Sequence, residues 1–158
     1  MSAQIVTPSR WVDGYFHPSS EDELIALVRL ARREGVSLRV RGSGHSIAAA
    51  IDTDGRARAS REPSRDIDVS LDRYTRIDID VASRRVTVQA GCRLGDDPRD
   101  PTGLATLESS LVAQLDRVGL ALPDLGGVTH QTVAGFLMTG SCGAVSYTHL
   151  TLPTSDLV

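Results

Sequence analysis

The stretch from Pro123 to Gly143 reads PDLGGVTHQTVAGFLMTGSCG and gathers five glycines around one apolar helical turn. These glycines are Gly126, Gly127, Gly135, Gly140 and Gly143. Each glycine in a helix interior costs ~1 kcal/mol relative to alanine, so an ordinary structural helix does not accumulate them. Such density is typical of backbone that packs closely against a ligand. The stretch therefore predicts a site for a large planar ligand that carries phosphates.

A second glycine segment, Arg41–Ser46, reads RGSGHS. Successive backbone N–H groups around glycines form a concave site for phosphate. Arg41 and the hydroxyls of Ser43 and Ser46 would add donors. A dinucleotide fingerprint needs a third glycine where Ile47 stands and an acidic partner on a second strand, which disfavours a Rossmann fold. By itself the segment leaves two alternatives open, an ordinary turn and a phosphate-binding loop.

Outward from these segments, helical and strand patterns alternate without a clean βαβ repeat. Ser20 and Glu23 form a capping-box pattern that predicts a helix ending at Gly35. A second helix is predicted over Leu104–Val118, with Gly119 as its C-cap. Short strands are predicted at Trp11–Phe16, Ser37–Val40, Ile67–Leu71, Tyr74–Ile79 and Arg85–Gln89, with a hairpin turn at Val81–Arg84. Exposed loops are predicted at Asp54–Asp66 and Gly95–Gly103. The fold class is α+β.

The composition limits the function further. The 158 residues are 41% hydrophobic and 23% charged, which is typical of a globular domain. A net charge of −3 with only 4% aromatics disfavours nucleic acid as a partner. No apolar run approaches the ~20 residues of a membrane span, and no secretory signal pattern is present, so we expect no membrane partner. With two distant cysteines, a cytoplasmic location is expected.

Four segments together carry a family resemblance: RGSGHS, VTVQAG, GLALPDLGG and QTVAGFLMTGS. They resemble the FAD-binding domain of the p-cresol methylhydroxylase / vanillyl-alcohol oxidase superfamily, and most of all its aldonolactone and alditol oxidases. The resemblance covers roughly Trp11 to Gly143. It implies an FAD-binding fold of the p-cresol methylhydroxylase (PCMH) type, with two α+β subdomains that cradle FAD, incomplete at its C-terminus.

The resemblance also implies where FAD binds. The loop Arg41–Ser46 would hold the pyrophosphate, and His45 is the candidate for a covalent bond to the flavin 8α-methyl. A histidine that only makes hydrogen bonds within the loop is the alternative. The cofactor-binding residues implied are Arg41, Gly42, Ser43, Gly44, His45, Ser46, Gly126, Thr132, Gly135, Thr139, Gly140, Ser141 and Gly143.

Several other residues receive structural roles. Cys142 takes the place where many relatives carry a histidine; we interpret it as a small buried thiol, with a thioether to the flavin as the alternative. Cys92 is expected to be structural, and His130 to cap rather than catalyse. The four histidines and two cysteines lack the spacing of metal ligands, so no metal site is predicted.

The activity implied is that of an FAD-linked oxidase or dehydrogenase acting on CH–OH donors. The full enzyme would oxidise a sugar lactone or a polyol by hydride transfer to the flavin, and oxygen or another acceptor would take the electrons. Two alternatives stay open: another oxidase branch, acting on oligosaccharides or 2-hydroxy acids, and a non-catalytic remnant that binds flavin. The substrate base in such enzymes lies in the substrate domain, so no catalytic residue is assigned.

The end of the chain differs from the rest. From Val145 to Thr154 it looks like a translated transposase-type sequencing adapter. We therefore predict a partial FAD-binding domain at residues 11–143 and a non-native tail at residues 145–158. A native C-terminal strand is the alternative. Because this length does not hold a substrate domain as well, we expect no turnover from the chain alone.

Overall fold

The computed structural model describes residues 14–46, 66–100 and 102–141. In chain order the elements are α1 (Glu21–Glu34), β1 (Leu38–Arg41), β2 (Ile67–Ser70), β3 (Ile77–Asp80), β4 (Arg85–Val88), α2 (Leu111–Asp116) and α3 (Val133–Met138). The predicted loop at Asp54–Asp66 lies outside the described residues except for Asp66. Of the predicted strand at Trp11–Phe16, only the last three residues are described, and Phe16 forms an isolated bridge to Val69.

The described strands pair in two small sheets. β1 and β2 run parallel, with Leu38 opposite Ile67. β3 and β4 form the predicted antiparallel hairpin, with Ile77 opposite Val88. The described residues thus combine helices with one parallel and one antiparallel strand pair, which confirms the predicted α+β class.

The first helix begins and ends as its sequence predicts. The Ser20 hydroxyl accepts a hydrogen bond from the Glu23 backbone N–H, and Gly35 closes α1 with a left-handed φ of 65°. The Glu23 carboxylate accepts from the Ser19 N–H at 2.6 Å, one residue earlier than in the reciprocal capping box. Local capping chemistry is therefore sufficient to define this helix.

The second helix is shorter than predicted. The periodic leucines predict a helix from residue 104, whereas α2 begins at Leu111 with Ser110 as its N-cap. The Asp100 carboxylate accepts hydrogen bonds from the N–H groups of Leu104 and Ala105, at 3.0 and 2.9 Å. These contacts hold the backbone in a turn, since short polar side chains compete with helical hydrogen bonds. Leu104 is consequently 46% exposed rather than part of a helical face.

Two separate hydrophobic cores form, each with its own sheet. The first lies between α1 and the β1–β2 pair and contains Phe16, Leu27, Ala31, Ile67 and Val69. The second contains Cys92, Leu94, Leu111, Leu115 and Phe136, and hairpin residues from β3 and β4 pack against it. The arrangement agrees with the two α+β subdomains that the resemblance implies.

Gly91 lies at the junction between the two cores. Its N–H donates to the Tyr74 carbonyl at 3.0 Å, and the Tyr74 N–H donates to the Leu71 carbonyl at 2.8 Å. A Cβ at position 91 would overlap the Leu71 carbonyl oxygen and lie 2.8 Å from the Tyr74 carbonyl oxygen. Because the two backbone segments approach so closely, only glycine fits at position 91.

Candidate functional site

A cavity of about 210 Å³ lies where the loop after β1 faces the start of α3. Its lining consists of Val40, Arg41, Gly42, Ser43, Gly44, His45, Ser46, Gln131, Thr132, Gly135 and Thr139. The fold thus brings together the two glycine segments that the sequence singled out. No carboxylate is among these lining residues.

Thr132 holds the two sides of the cavity together. Its hydroxyl caps α3 by accepting from the Gly135 N–H at 3.1 Å. The same oxygen would lie only 2.6 Å from a Cβ at position 42, so Gly42 allows the loop to approach α3. Nearby, the Ser43 hydroxyl donates to the His130 carbonyl. The position of the loop is therefore fixed by direct contacts across the cavity.

The loop presents unused backbone donors. Within the described part of the chain, no hydrogen bond involves the N–H groups of Gly42 through Ser46. Gly44 has a left-handed φ of 72°, a conformation that glycine adopts without steric cost. Backbone N–H groups, with no carboxylate among the lining residues named, are donors that suit a phosphate group. The cavity is too small for a whole dinucleotide. Its donors instead fit the diphosphate part of a dinucleotide.

The Arg41 side chain contacts two neighbouring side chains in addition to lining the cavity. Its Nη2 atom lies 3.3 Å from Oδ1 of Asp68, and both side chains are 17% exposed. Its guanidinium carbon also lies 5.7 Å from the centre of the Tyr15 ring. Arg41 therefore both anchors the loop to β2 and lines the cavity.

Beside the cavity, His45 belongs to a cluster with His130 and Arg99. The two imidazole rings are 3.9 Å apart between centroids and tilted by 47°. Nη2 of Arg99 lies 3.0 Å from Nε2 of His130 and 3.3 Å from Nε2 of His45. Partial burial lowers the pKa of His45, the positive charges of His130 and Arg99 lower it further, and Asp97 opposes them. These effects together favour the neutral form of the His45 ring.

The role expected for His130 is wrong in one respect. The cap of α3 is Thr132, whereas the His130 ring contacts His45 and Arg99. The sequence marked His130 only by its place before the glycine-rich turn. Nothing in the local sequence of Arg99, within an Asp/Pro loop, indicates that it reaches this cluster.

Some of the other predicted site residues line the cavity and some do not. Thr132, Gly135 and Thr139 line the cavity together with the whole loop Arg41–Ser46. Gly126, Gly140 and Ser141 are described but lie outside this lining, and a Cβ at Gly126 would meet the Phe136 ring at 3.3 Å. Gly143 lies outside the described residues. Val40 and Gln131 line the cavity although they were not predicted.

Cys92 has the structural role that was expected. It is fully buried in the second core, and burial raises the pKa of its thiol to about 11. A thiol with so high a pKa is inert at neutral pH. Cys142 lies outside the described residues. Among the residues described, no group of three or more His, Cys, Asp or Glu side chains is arranged to hold a metal ion, and no helix has the length and apolar character needed to cross a membrane.

Comparison with known families identifies the domain. A family described as an FAD binding domain matches residues 12–96, which include the loop Arg41–Ser46 and both strand pairs. The chain belongs to this FAD-binding family. The predicted cofactor, FAD, is thereby confirmed, and the free donors of the loop are chemically suited to its diphosphate.

Relatives and solved structures agree with this assignment. The D-arabinono-1,4-lactone oxidase of Eremothecium gossypii is 33% identical over 138 residues, covering 84% of this chain and 21% of that protein. The L-gulonolactone oxidase of Bos taurus is 30% identical over 128 residues, covering 80% and 23%. Cholesterol oxidase from Brevibacterium sterolicum superposes with a TM-score of 0.61 at 18% identity, covering 88% of this chain and 23% of that one. These matches confirm the predicted superfamily and the PCMH-type fold of this FAD-binding chain, which spans about one fifth of the length of its curated relatives.

Proposed function

We propose that the chain is the flavin-binding part of an FAD-linked oxidase that oxidises a CH–OH group of a sugar lactone. The observation that carries the proposal is that relatives similar over four fifths or more of the chain are named as oxidases of sugar lactones. Oxygen is the electron acceptor that the word oxidase implies. A polyol substrate, another acceptor and a cytoplasmic location stay predictions.

In this proposal the cavity residues bind and orient FAD. The N–H groups of Gly42 through Ser46 donate to the diphosphate. Ser43 and Thr139 line the same cavity, and their hydroxyls donate to the His130 and Gly135 carbonyls. Bound FAD supplies the redox chemistry, and the protein contributes position and electrostatics. Gly126, Gly140, Ser141 and Gly143 stay predicted contacts of other parts of FAD. The domain division at residues 11–143 and 145–158 is likewise a proposal.

His45 is the proposed point of covalent attachment. Its side chain is exposed and lines the cavity, and its surroundings favour the neutral form, in which one ring nitrogen keeps a lone pair. A histidine used only for hydrogen bonds within the loop would bond other loop atoms. Within the described residues, the ring contacts that His45 makes are instead with Arg99 and His130.

Substitution at two left-handed glycines tests the binding site. Gly44 and Gly140 have φ values of 72° and 63°, and a Cβ at either position would meet open space. Valine there strains the backbone by ~1–2 kcal/mol. We expect Gly44→Val and Gly140→Val each to lower FAD affinity about tenfold while circular dichroism of α1 is unchanged.

The matched control is Gly127→Val, because position 127 is also open and its φ lies outside the left-handed range. It should retain FAD. Normal FAD stoichiometry in both Gly44→Val and Gly140→Val would show that these glycines only form turns.

The activity is tested on the protein that the gene encodes once the DNA beyond the Gly143 codon has been resequenced. We expect anaerobic addition of an aldono-1,4-lactone to bleach the flavin absorbance and oxygen to restore it. Bleaching by 2-hydroxy acids or oligosaccharides alone would assign another oxidase branch. Purified protein without flavin absorbance, even after addition of FAD, would indicate a non-catalytic remnant.

A further inference from the structure

The Arg99 guanidinium bridges two imidazoles that belong to different subdomains. His45 follows β1 and His130 precedes α3, and Arg99 extends from the loop after β4. One guanidinium nitrogen, Nη2, approaches Nδ1 and Nε2 of His45 at 3.5 and 3.3 Å and Nε2 of His130 at 3.0 Å. All three side chains therefore meet at one atom beside the cavity.

Hydrogen-bond chemistry restricts the protonation of this cluster. A guanidinium is always charged and only donates. The imidazole nitrogen that accepts its N–H must carry a lone pair, which places the proton of a neutral His130 on Nδ1. A doubly protonated imidazole has no lone pair to offer and would bring a second positive charge within about 4 Å of the first. The contact with Arg99 thus disfavours a charged His45 ring.

The remaining charges near His45 do not reverse this preference. Asp97 is the acidic residue that acts on His45, and it favours the charged ring. Its carboxylate is already engaged, since Oδ1 accepts from the backbone N–H of Arg99 at 3.0 Å and Oδ2 lies 4.0 Å from Nε of Arg93. Arg41, at the same cavity, is paired with Asp68. The effects of burial, His130 and Arg99 on His45 therefore outweigh that of Asp97.

We propose that Arg99 and His130 are positioning residues, which contact the His45 imidazole from two sides and hold it in one orientation beside the cavity. The His130 ring, 3.9 Å away between centroids and tilted by 47°, limits rotation of His45, and the charge of Arg99 disfavours a proton on His45. The inference rests on the proposed function in one respect, the purpose of the Arg99–His130 contacts. That purpose is to keep a lone pair on a His45 nitrogen available to the flavin at neutral pH. The protonation of His45 is a property of the chain without FAD.

The test is a histidine titration by NMR on the FAD-free chain with ¹⁵N-labelled imidazoles. His45→Gln assigns the signal of His45. We expect the His45 imidazole of the wild type to titrate at a lower pH than a free histidine does. Arg99→Gln should move its titration to higher pH, and Arg99→Lys, which keeps the charge, should leave it low. His130→Phe keeps an aromatic ring beside His45 but removes the imidazole whose electrostatic effect lowers the pKa of His45, and should also move the His45 titration to higher pH.

Arg76→Gln is the matched control, because Arg76 is an exposed arginine that pairs with Asp78 on the distant hairpin. It should not change the titration of His45. Arg99 is itself exposed, so its replacement leaves both cores intact. Identical His45 titrations in wild type and Arg99→Gln would overturn the inference. A low titration in a protein whose flavin is not covalent would instead contradict only the attachment at His45.

Discussion

Gly91→Ala is expected to destabilise the chain severely. The new Cβ would overlap the Leu71 carbonyl oxygen and lie 2.6 Å from the Leu71 carbonyl carbon. All the clashing atoms belong to backbone, which cannot rotate away as a side chain can. Relief requires the hydrogen bonds from Gly91 to Tyr74 and from Tyr74 to Leu71 to break. Overpacking of this kind costs about 3 kcal/mol or more, a large part of the ~5–15 kcal/mol that stabilises a domain.

Thermal denaturation followed by circular dichroism measures this effect. Gly127→Ala is the control, since a Cβ there meets no atom within 4 Å and its backbone suits any residue. We expect a normal transition for Gly127→Ala and either no transition or insoluble protein for Gly91→Ala. A Gly91→Ala protein that melts at the wild-type temperature would show that the two cores do not depend on this junction.

His45→Ala is expected to remove all covalently bound flavin. The imidazole is the nucleophile that the cavity loop presents, and alanine offers no replacement atom. The chain expressed with FAD is denatured in acid and separated on a gel, where covalent flavin gives a fluorescent band. Wild type should fluoresce and His45→Ala should not, although the variant retains the backbone donors for the diphosphate. Arg76→Gln should fluoresce as wild type does.

Flavin that leaves the wild-type protein on denaturation would contradict covalent attachment. It would not contradict FAD binding, because the loop donors do not depend on the His45 side chain. Fluorescence in His45→Ala would place the attachment at another residue.

Sequence reasoning succeeded where the determining contacts are local. The cap at Ser20 and the stop at Gly35 act within one helical turn, so α1 was predicted to within a residue of its observed ends. The hairpin was predicted because alternation in β3 and β4 and the turn between them are adjacent in the chain. The same reasoning failed for α2, where leucine spacing suggested a longer helix than the side-chain bonds of Asp100 allow.

Sequence reasoning predicted the parts of the candidate site that are marked by residue type. It missed the parts that depend on contacts between residues far apart in the chain. Glycine density and the family resemblance found the loop Arg41–Ser46 and Thr132. Arg99 and the ring contact between His45 and His130 join segments far apart in sequence, which no local pattern encodes. The need for glycine at position 91 likewise arises from the approach of Leu71, not from the residues beside it.

The most direct test of the account is a ¹H–¹⁵N NMR titration of the chain with FAD. The account predicts that the amide signals of Gly42 through Ser46 shift most, together with those of Thr132 and Gly135, because these groups surround the proposed diphosphate site. The signals of the β3–β4 hairpin should stay in place. Binding of FAD that shifts the hairpin signals and leaves the loop signals unchanged would contradict the account.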